Sequence, residues 1–354
     1  MKQKPLRSVA DLVTAGIVPA GDTGVLRKVS QKYAVAIPPA LARLIDPDDP
    51  DDPIARQFVP HPAELETLPE ERADPIGDLA HSPVEGIVHR YPDRVLLKPL
   101  HVCPVYCRFC FRREMVGPEG MGTLPPEKLD AALAYIADRP DIWEVILTGG
   151  DPLVLAPHRL RRIMDGLDAI AHVRIVRIHT RAPVADPDLV DDALIGALRA
   201  RSKTVYVAVH ANHPRELTPE ARAALGRLAD AGIPLLSQTV LLRGVNDDPQ
   251  TMAALMRGFV EARVRPYYLH HPDLAPGTAR FRVSIEEGRA LMRALRGHIS
   301  GLCLPTYVLD IPGGHGKSPL GPDYVHGDEV EDFRGGRHRY APGPAKRKPG
   351  AHTP

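Results

Sequence analysis

Val95-Leu96-Leu97-Lys98-Pro99-Leu100-His101-Val102-Cys103-Pro104-Val105-Tyr106-Cys107-Arg108-Phe109-Cys110 joins a short apolar run to three thiols in one loop. The run Val95 to Leu100 reads as a buried strand, and the loop after it spaces its cysteines as C-x3-C-x2-C. Similar β-branched runs recur downstream at Glu144 to Leu147, Val173 to His179, Thr204 to His210, Leu235 to Leu242 and Arg265 to His270. Between them lie amphipathic stretches, Pro125 to Ala137, Pro157 to Ala171, Pro187 to Ala200, Pro219 to Ala231 and Pro249 to Ala262, with Ile285 to Leu295 after the last. Strands alternating with helices of this length predict βαβ units and a parallel sheet. Right-handed crossovers repeated around one axis then predict an α/β fold, a partial (β/α)6 TIM-like barrel, with its chemistry at the C-terminal strand ends. The cysteine loop falls at such an end.

The rhythm divides the 354 residues into an N-terminal helical extension over 1–80, a barrel over 81–322 and a C-terminal tail over 323–354, expected to be partly disordered. Helical patches at Val9 to Ala15 and Pro39 to Leu44 precede the proline-broken acidic run from Asp46 to Pro53, which reads as a solvated turn. The tail is rich in Gly, Pro, Arg and Lys, and its basic cluster Lys346-Arg347-Lys348 reads as a solvated terminus. With 44% hydrophobic residues, 25% charged residues and a net charge of +1, the chain lacks the basic excess of a dedicated nucleic-acid binder. Small-molecule chemistry is favoured. Asp11 interrupts the stretch a secretory signal needs, and no apolar run approaches the roughly 20 residues of a membrane helix, so a cytoplasmic protein without a membrane partner is expected.

Of four cysteines, three lie within eight residues, a crowding that suits metal ligation better than a disulfide framework. Three thiolates make a soft, electron-rich site for iron–sulfur or zinc. A structural zinc needs a fourth ligand such as His101 or Cys303, and a zinc-binding, nucleic-acid-associated module is the rival from another class. A [4Fe–4S] cubane held by Cys103, Cys107 and Cys110 leaves one iron open to chelate the amino and carboxylate groups of S-adenosylmethionine. Two glycine turns stand out besides. Gly149-Gly150-Asp151 follows the second strand, where glycines let backbone approach a ligand closely, and Gly313-Gly314-His315-Gly316-Lys317 puts a lysine after a flexible turn.

The cysteine spacing, with Tyr106 and Phe109 beside the thiols, resembles the radical S-adenosylmethionine superfamily, and Gly149-Gly150-Asp151 resembles that superfamily's methionine-binding segment. The match extends to the lysine 2,3-aminomutase family through Asp52-Pro53-Ile54-Ala55-Arg56-Gln57-Phe58-Val59-Pro60, Ser82-Pro83-Val84-Glu85-Gly86, His89-Arg90-Tyr91-Pro92-Asp93-Arg94, His210-Ala211-Asn212-His213-Pro214, Gly244-Val245-Asn246-Asp247 and Asp310-Ile311-Pro312-Gly313-Gly314-His315-Gly316-Lys317. The resemblance implies that Lys317 forms a Schiff base with pyridoxal 5'-phosphate, whose phosphate Arg90 and Tyr91 hold. By the same resemblance, His210 and Gln238 contact S-adenosylmethionine, Arg112 pairs with the substrate carboxylate, and Arg113 supports the cluster loop. Asp273 and Asp310 would take the distal ammonium of lysine, leaving a glutamate substrate facing like charge.

The implied reaction is 2,3-amino migration in L-lysine to give β-lysine, by an isomerase fed electrons by a donor such as flavodoxin or ferredoxin. Alternatives are another amino acid, or lysine destined for elongation factor P modification. A homo-oligomer is a family expectation. The chain departs from the pattern at His270, where longer aminomutases carry tyrosine, and at His315 within the glycine turn, and it has no cysteine-rich C-terminal zinc segment.

Overall fold

A computed structural model describes residues 4–117, 122–200 and 202–340. Four short helices come first: α1 (Val9–Thr14), α2 (Thr23–Lys32), α3 (Pro39–Ala42) and α4 (Pro53–Phe58). Ser8 and Asp11 close a capping box on α1, and the Asp52 side chain accepts from the Ile54 and Ala55 amides to start α4. Leu12, Ile37, Leu41, Ile54 and Phe58 are buried together in a small core that also takes in Val105 of the cysteine loop. The extension is therefore fastened to the loop it precedes.

Asp52 departs from the expected solvated turn. It is buried, caps α4 and pairs with Arg215 at 2.6 Å. An acid directly before a proline that opens a helix is the cap signature that the reading of the run as a turn overlooks.

The main sheet has nine strands in chain order: β1 (Ile87–Tyr91), β2 (Arg94–Leu100), β3 (Glu144–Gly149), β4 (Ile175–Thr180), β5 (Thr204–His210), β6 (Leu235–Val240), β7 (Val264–His270), β8 (Thr306–Ile311) and β9 (Gly316–Pro319). Pairing is parallel from β2 through β8 and antiparallel at both ends. The crossovers carry α5 (Pro126–Ala137), α6 (Pro157–Asp168), α7 (Ala182–Ala185) with α8 (Asp192–Leu198), α9 (Pro219–Asp230), α10 (Pro249–Glu261) and α11 (Ile285–Leu295). Residues facing the helices, Leu97, Val145, Val176, Val207 and Leu269 among them, are buried in one continuous core with Leu160, Leu225 and Phe259.

This is the expected partial barrel, and the six predicted strands coincide with β2 to β7. It runs further than the sequence indicates: β8 adds a seventh parallel strand, and the β1 and β9 edges nearly close the ring. Edge strands β1 and β9 are not ladder neighbours, yet the Tyr91 hydroxyl of β1 accepts a hydrogen bond from the Lys317 amide of β9 at 2.7 Å.

The segment expected to fade into a tail instead forms a second antiparallel sheet, β10 (Val325–His326), β11 (Glu329–Glu331) and β12 (Arg337–Arg339). Arg289 reaches toward it with an ion pair to Asp323 at 2.8 Å, and Arg293 pairs with Glu331. Strands this short and polar give no alternation to read. The basic cluster Lys346-Arg347-Lys348 lies outside the described residues. Among the described residues, no helix is long and apolar enough to cross a membrane.

Candidate active site

The loop after β2 is gripped from the extension. Tyr106 N–H donates to the Ala36 carbonyl at 3.2 Å and Arg108 N–H to that of Gln57 at 2.8 Å. Arg108, itself 1% exposed, donates to both oxygens of Glu64, through Nη2 at 2.6 Å and Nε at 3.0 and 3.1 Å. Arg113 reaches the same carboxylate and ties back to the Arg108 carbonyl at 2.8 Å. Burial would raise the Glu64 carboxyl, but the two guanidiniums hold it below its ordinary value. Glu64 is a site residue that sequence reading missed; an acid in a polar linker carries no mark of its distant partners.

Cys103, Cys107 and Cys110 all border one lumen of about 630 Å³ inside the barrel. Burial pushes all three thiols up, Cys107 to about 11, although Arg181 donates to its sulfur at 3.2 Å. Thiolates there call for the charge of a bound metal centre. Among the described residues, no three His, Cys, Asp or Glu side chains gather tightly enough to ligate a single ion. Three soft donors set around a cavity wall fit the separate corners of a cube better than one tetrahedral zinc.

Glycine is obligatory next door. A Cβ on Gly149, whose φ is 110°, would stand 2.6 Å from the Leu100 carbonyl, and one on Gly150 would stand 2.5 Å from the Val102 nitrogen. The β3 turn thus lies directly on the cysteine loop. Asp151 spends its side chain within the protein: Oδ1 accepts from Thr180 at 2.7 Å and Leu153 N–H at 3.0 Å, Oδ2 from Arg181 and Ala182 N–H at 2.7 and 3.0 Å. It braces the turn, whose Gly150 and Asp151 amides donate to the Leu100 and Val102 carbonyls at 2.7 and 2.9 Å.

Arg181 is a second missed residue. It joins Cys107 to Glu216 and to Gln57 at 2.8 Å, and Asn212 closes the network by donating to Gln57 at 3.1 Å. The Asn212 oxygen in turn lies 3.1 Å from His210 Nε2. Gln238 lies 3.3 Å from His179 Nε2. Burial keeps His179 and His210 well below their ordinary values and pushes His270 down to about 3, so three neutral imidazoles face the lumen.

At the other side of the lumen Lys317 Nζ sits on Asp310, 2.9 Å from Oδ1 and 2.7 Å from Oδ2. His270 and Arg90 stand 3.8 and 3.7 Å from the same carboxylate. Asp273 shares this corner, its carboxyl raised to about 7 by burial and by Asp310. Arg90 donates to the Ile76 carbonyl at 2.7 Å, while its Nε is buried without a partner. Arg112 donates twice to Asp78, at 2.8 and 3.1 Å. Of the residues singled out for the site, all but Gly149 and Arg113 border this one cavity.

Residues 97–256 match the radical SAM superfamily profile and residues 292–331 the lysine-2,3-aminomutase profile. The chain is 44% identical over 291 residues to L-lysine 2,3-aminomutase of Clostridium subterminale, covering 82% of this chain and 70% of that protein. The chain belongs to the lysine 2,3-aminomutase family. L-lysine 2,3-aminomutase of Acetoanaerobium sticklandii is 41% identical, covering 87% of this chain and 74% of its own length. Glutamate 2,3-aminomutase of Clostridioides difficile is 37% identical, covering 85% and 70%. As a lysine 2,3-aminomutase-like radical SAM enzyme, an isomerase, the protein works with a [4Fe–4S] cluster and S-adenosylmethionine.

Proposed function

We propose that this aminomutase converts L-lysine to β-lysine, with Cys103, Cys107 and Cys110 holding the cluster and Lys317 holding pyridoxal 5'-phosphate. The observation that carries the reading is the placement of Asp273, Asp310 and Lys317 in the lumen that the three cysteines border. The buried, partnerless Nε of Arg90, a residue that borders the lumen, fits a phosphate oxygen, and Tyr91 fixes the Lys317 backbone. When bound, the reduced cluster supplies the electron that splits S-adenosylmethionine to a carbon radical, and the pyridoxal aldehyde supplies an imine for nitrogen migration.

The chain's own groups do the rest. Asp273 and Asp310 place two carboxylates around one cation, which favours the distal ammonium of lysine and repels the side chain of glutamate. Arg112 keeps an Nη group beyond its bonds to Asp78 and offers it to the substrate carboxylate. Neutral His270 borders Asp310 without adding a cation to the ammonium pocket. A low-potential donor such as flavodoxin or ferredoxin would deliver the electron.

Anaerobically reconstituted protein, given S-adenosylmethionine, pyridoxal 5'-phosphate and each of lysine, glutamate, ornithine and arginine, tests the reading. Lysine is expected to be turned over and glutamate not; inert lysine would overturn the roles of Asp273 and Asp310.

A further inference from the structure

One carboxylate from the N-terminal extension holds both guanidiniums of the ligand corner. Asp78 is 1% exposed, and its Oδ2 accepts Nε and Nη2 of Arg112 at 3.1 and 2.8 Å while its Oδ1 accepts Nη2 of Arg90 at 3.1 Å. Its own placement is fixed twice over. The Asp78 N–H donates to Asp74 at 2.8 Å, and Gly77, at φ 69°, leaves no room for a Cβ, which would lie 2.6 Å from the Gly314 nitrogen. The segment carrying Asp78 therefore rests on the glycine turn that carries Lys317.

We propose that Asp78 is a positioning residue, setting the cofactor-phosphate arm Arg90 and the substrate-carboxylate arm Arg112 at one fixed separation through a shared carboxylate. This rests on the roles given to those arginines under the proposed function. Two buried guanidiniums repel each other, and each keeps donors that Asp78 does not use: Arg90 its Nε, Arg112 its Nη1. Asp78 orients both cations without consuming their capacity for an anion. Arg90 also stands 3.7 Å from Asp310. With Asp78 neutralised, the nearest carboxylate left to Arg90 is the acid meant for the substrate ammonium, so both ends of the ligand site suffer together.

Asp78→Asn keeps the shape but presents an NH2 group to one of two guanidiniums. Expected are rises of about tenfold in both the dissociation constant of pyridoxal 5'-phosphate, read by Schiff-base absorbance without S-adenosylmethionine, and KM for lysine. The turnover number should fall less and iron content should hold, while the melting temperature drops because two buried guanidiniums lose their shared carboxylate. Asp78→Glu, which restores the charge, should recover part of both constants; should the Asn variant fail to fold, the Glu variant must still shift both together. Movement of one constant alone, of neither, or only in step with lost iron would overturn the proposal. Wild-type protein that neither binds pyridoxal 5'-phosphate nor turns over lysine would instead sink the underlying reading, and the proposal with it.

Discussion

Asp273 has a pH signature. Its carboxyl is raised to about 7, so it is neutral below that value and charged above it. Its attraction for an ammonium is present above about pH 7 and lost as pH falls through it, so KM for lysine should climb by up to tenfold per unit on the acid side. A KM profile flat from pH 8 to 6 would contradict this. Asp310→Asn removes the other carboxylate and the Lys317 partner together, and should raise KM for lysine by roughly 10–100-fold, the worth of a charge-assisted bond in a desolvated site. Steady-state kinetics reads both. Glu64 answers a different question: Glu64→Gln leaves Arg108 and Arg113 buried around a neutral amide, which should cost about 3–5 kcal/mol by denaturant titration.

At the scale of elements, the turn after β3 presses on the cysteine loop with no space for a side chain. Gly150→Ala should force the two apart, costing roughly 2–4 kcal/mol and lowering reconstituted iron content. Gly149-Gly150 was conspicuous in the sequence, as were the cysteines, because a glycine pair and three crowded thiols stand out against alternating strands and helices. The alternating strands and helices were legible for the same kind of reason: Val145, Val176 and Val207 sit on strands that read as short apolar runs. Asp78, Glu64, Arg181 and Glu216 were not singled out. Each owes its importance to partners tens or hundreds of residues away, and local pattern holds no trace of those pairings. β8 and β9 are harder to read as strands because no helix separates them to mark a βαβ unit, and Pro312, the glycines and Pro319 break up the stretch Thr306 to Pro319. The meander beyond Pro322 hid behind polar, glycine-rich composition.

For the whole molecule, the extension is as much a part of the catalytic unit as the barrel. Gln57, Glu64 and Asp78 all precede the first strand and all reach the cluster loop or the ligand arms. Deleting residues 1–80 should therefore give a protein that holds no cluster, measured as iron and sulfide per chain after anaerobic reconstitution; a truncated barrel with full iron content would refute this. The ring of strands has its own weak point. Its two edge strands meet not through a ladder but through the Tyr91 phenol, clasped onto the very amide that carries the lysine, with Arg90 3.7 Å from Asp310 alongside. A hoop fastened by so few rivets can part there while every rung elsewhere stays made. Tyr91→Phe should speed deuterium uptake at Lys317 and its strand neighbours about fivefold, matching the ~1 kcal/mol of one hydrogen bond, with the central strands unaltered.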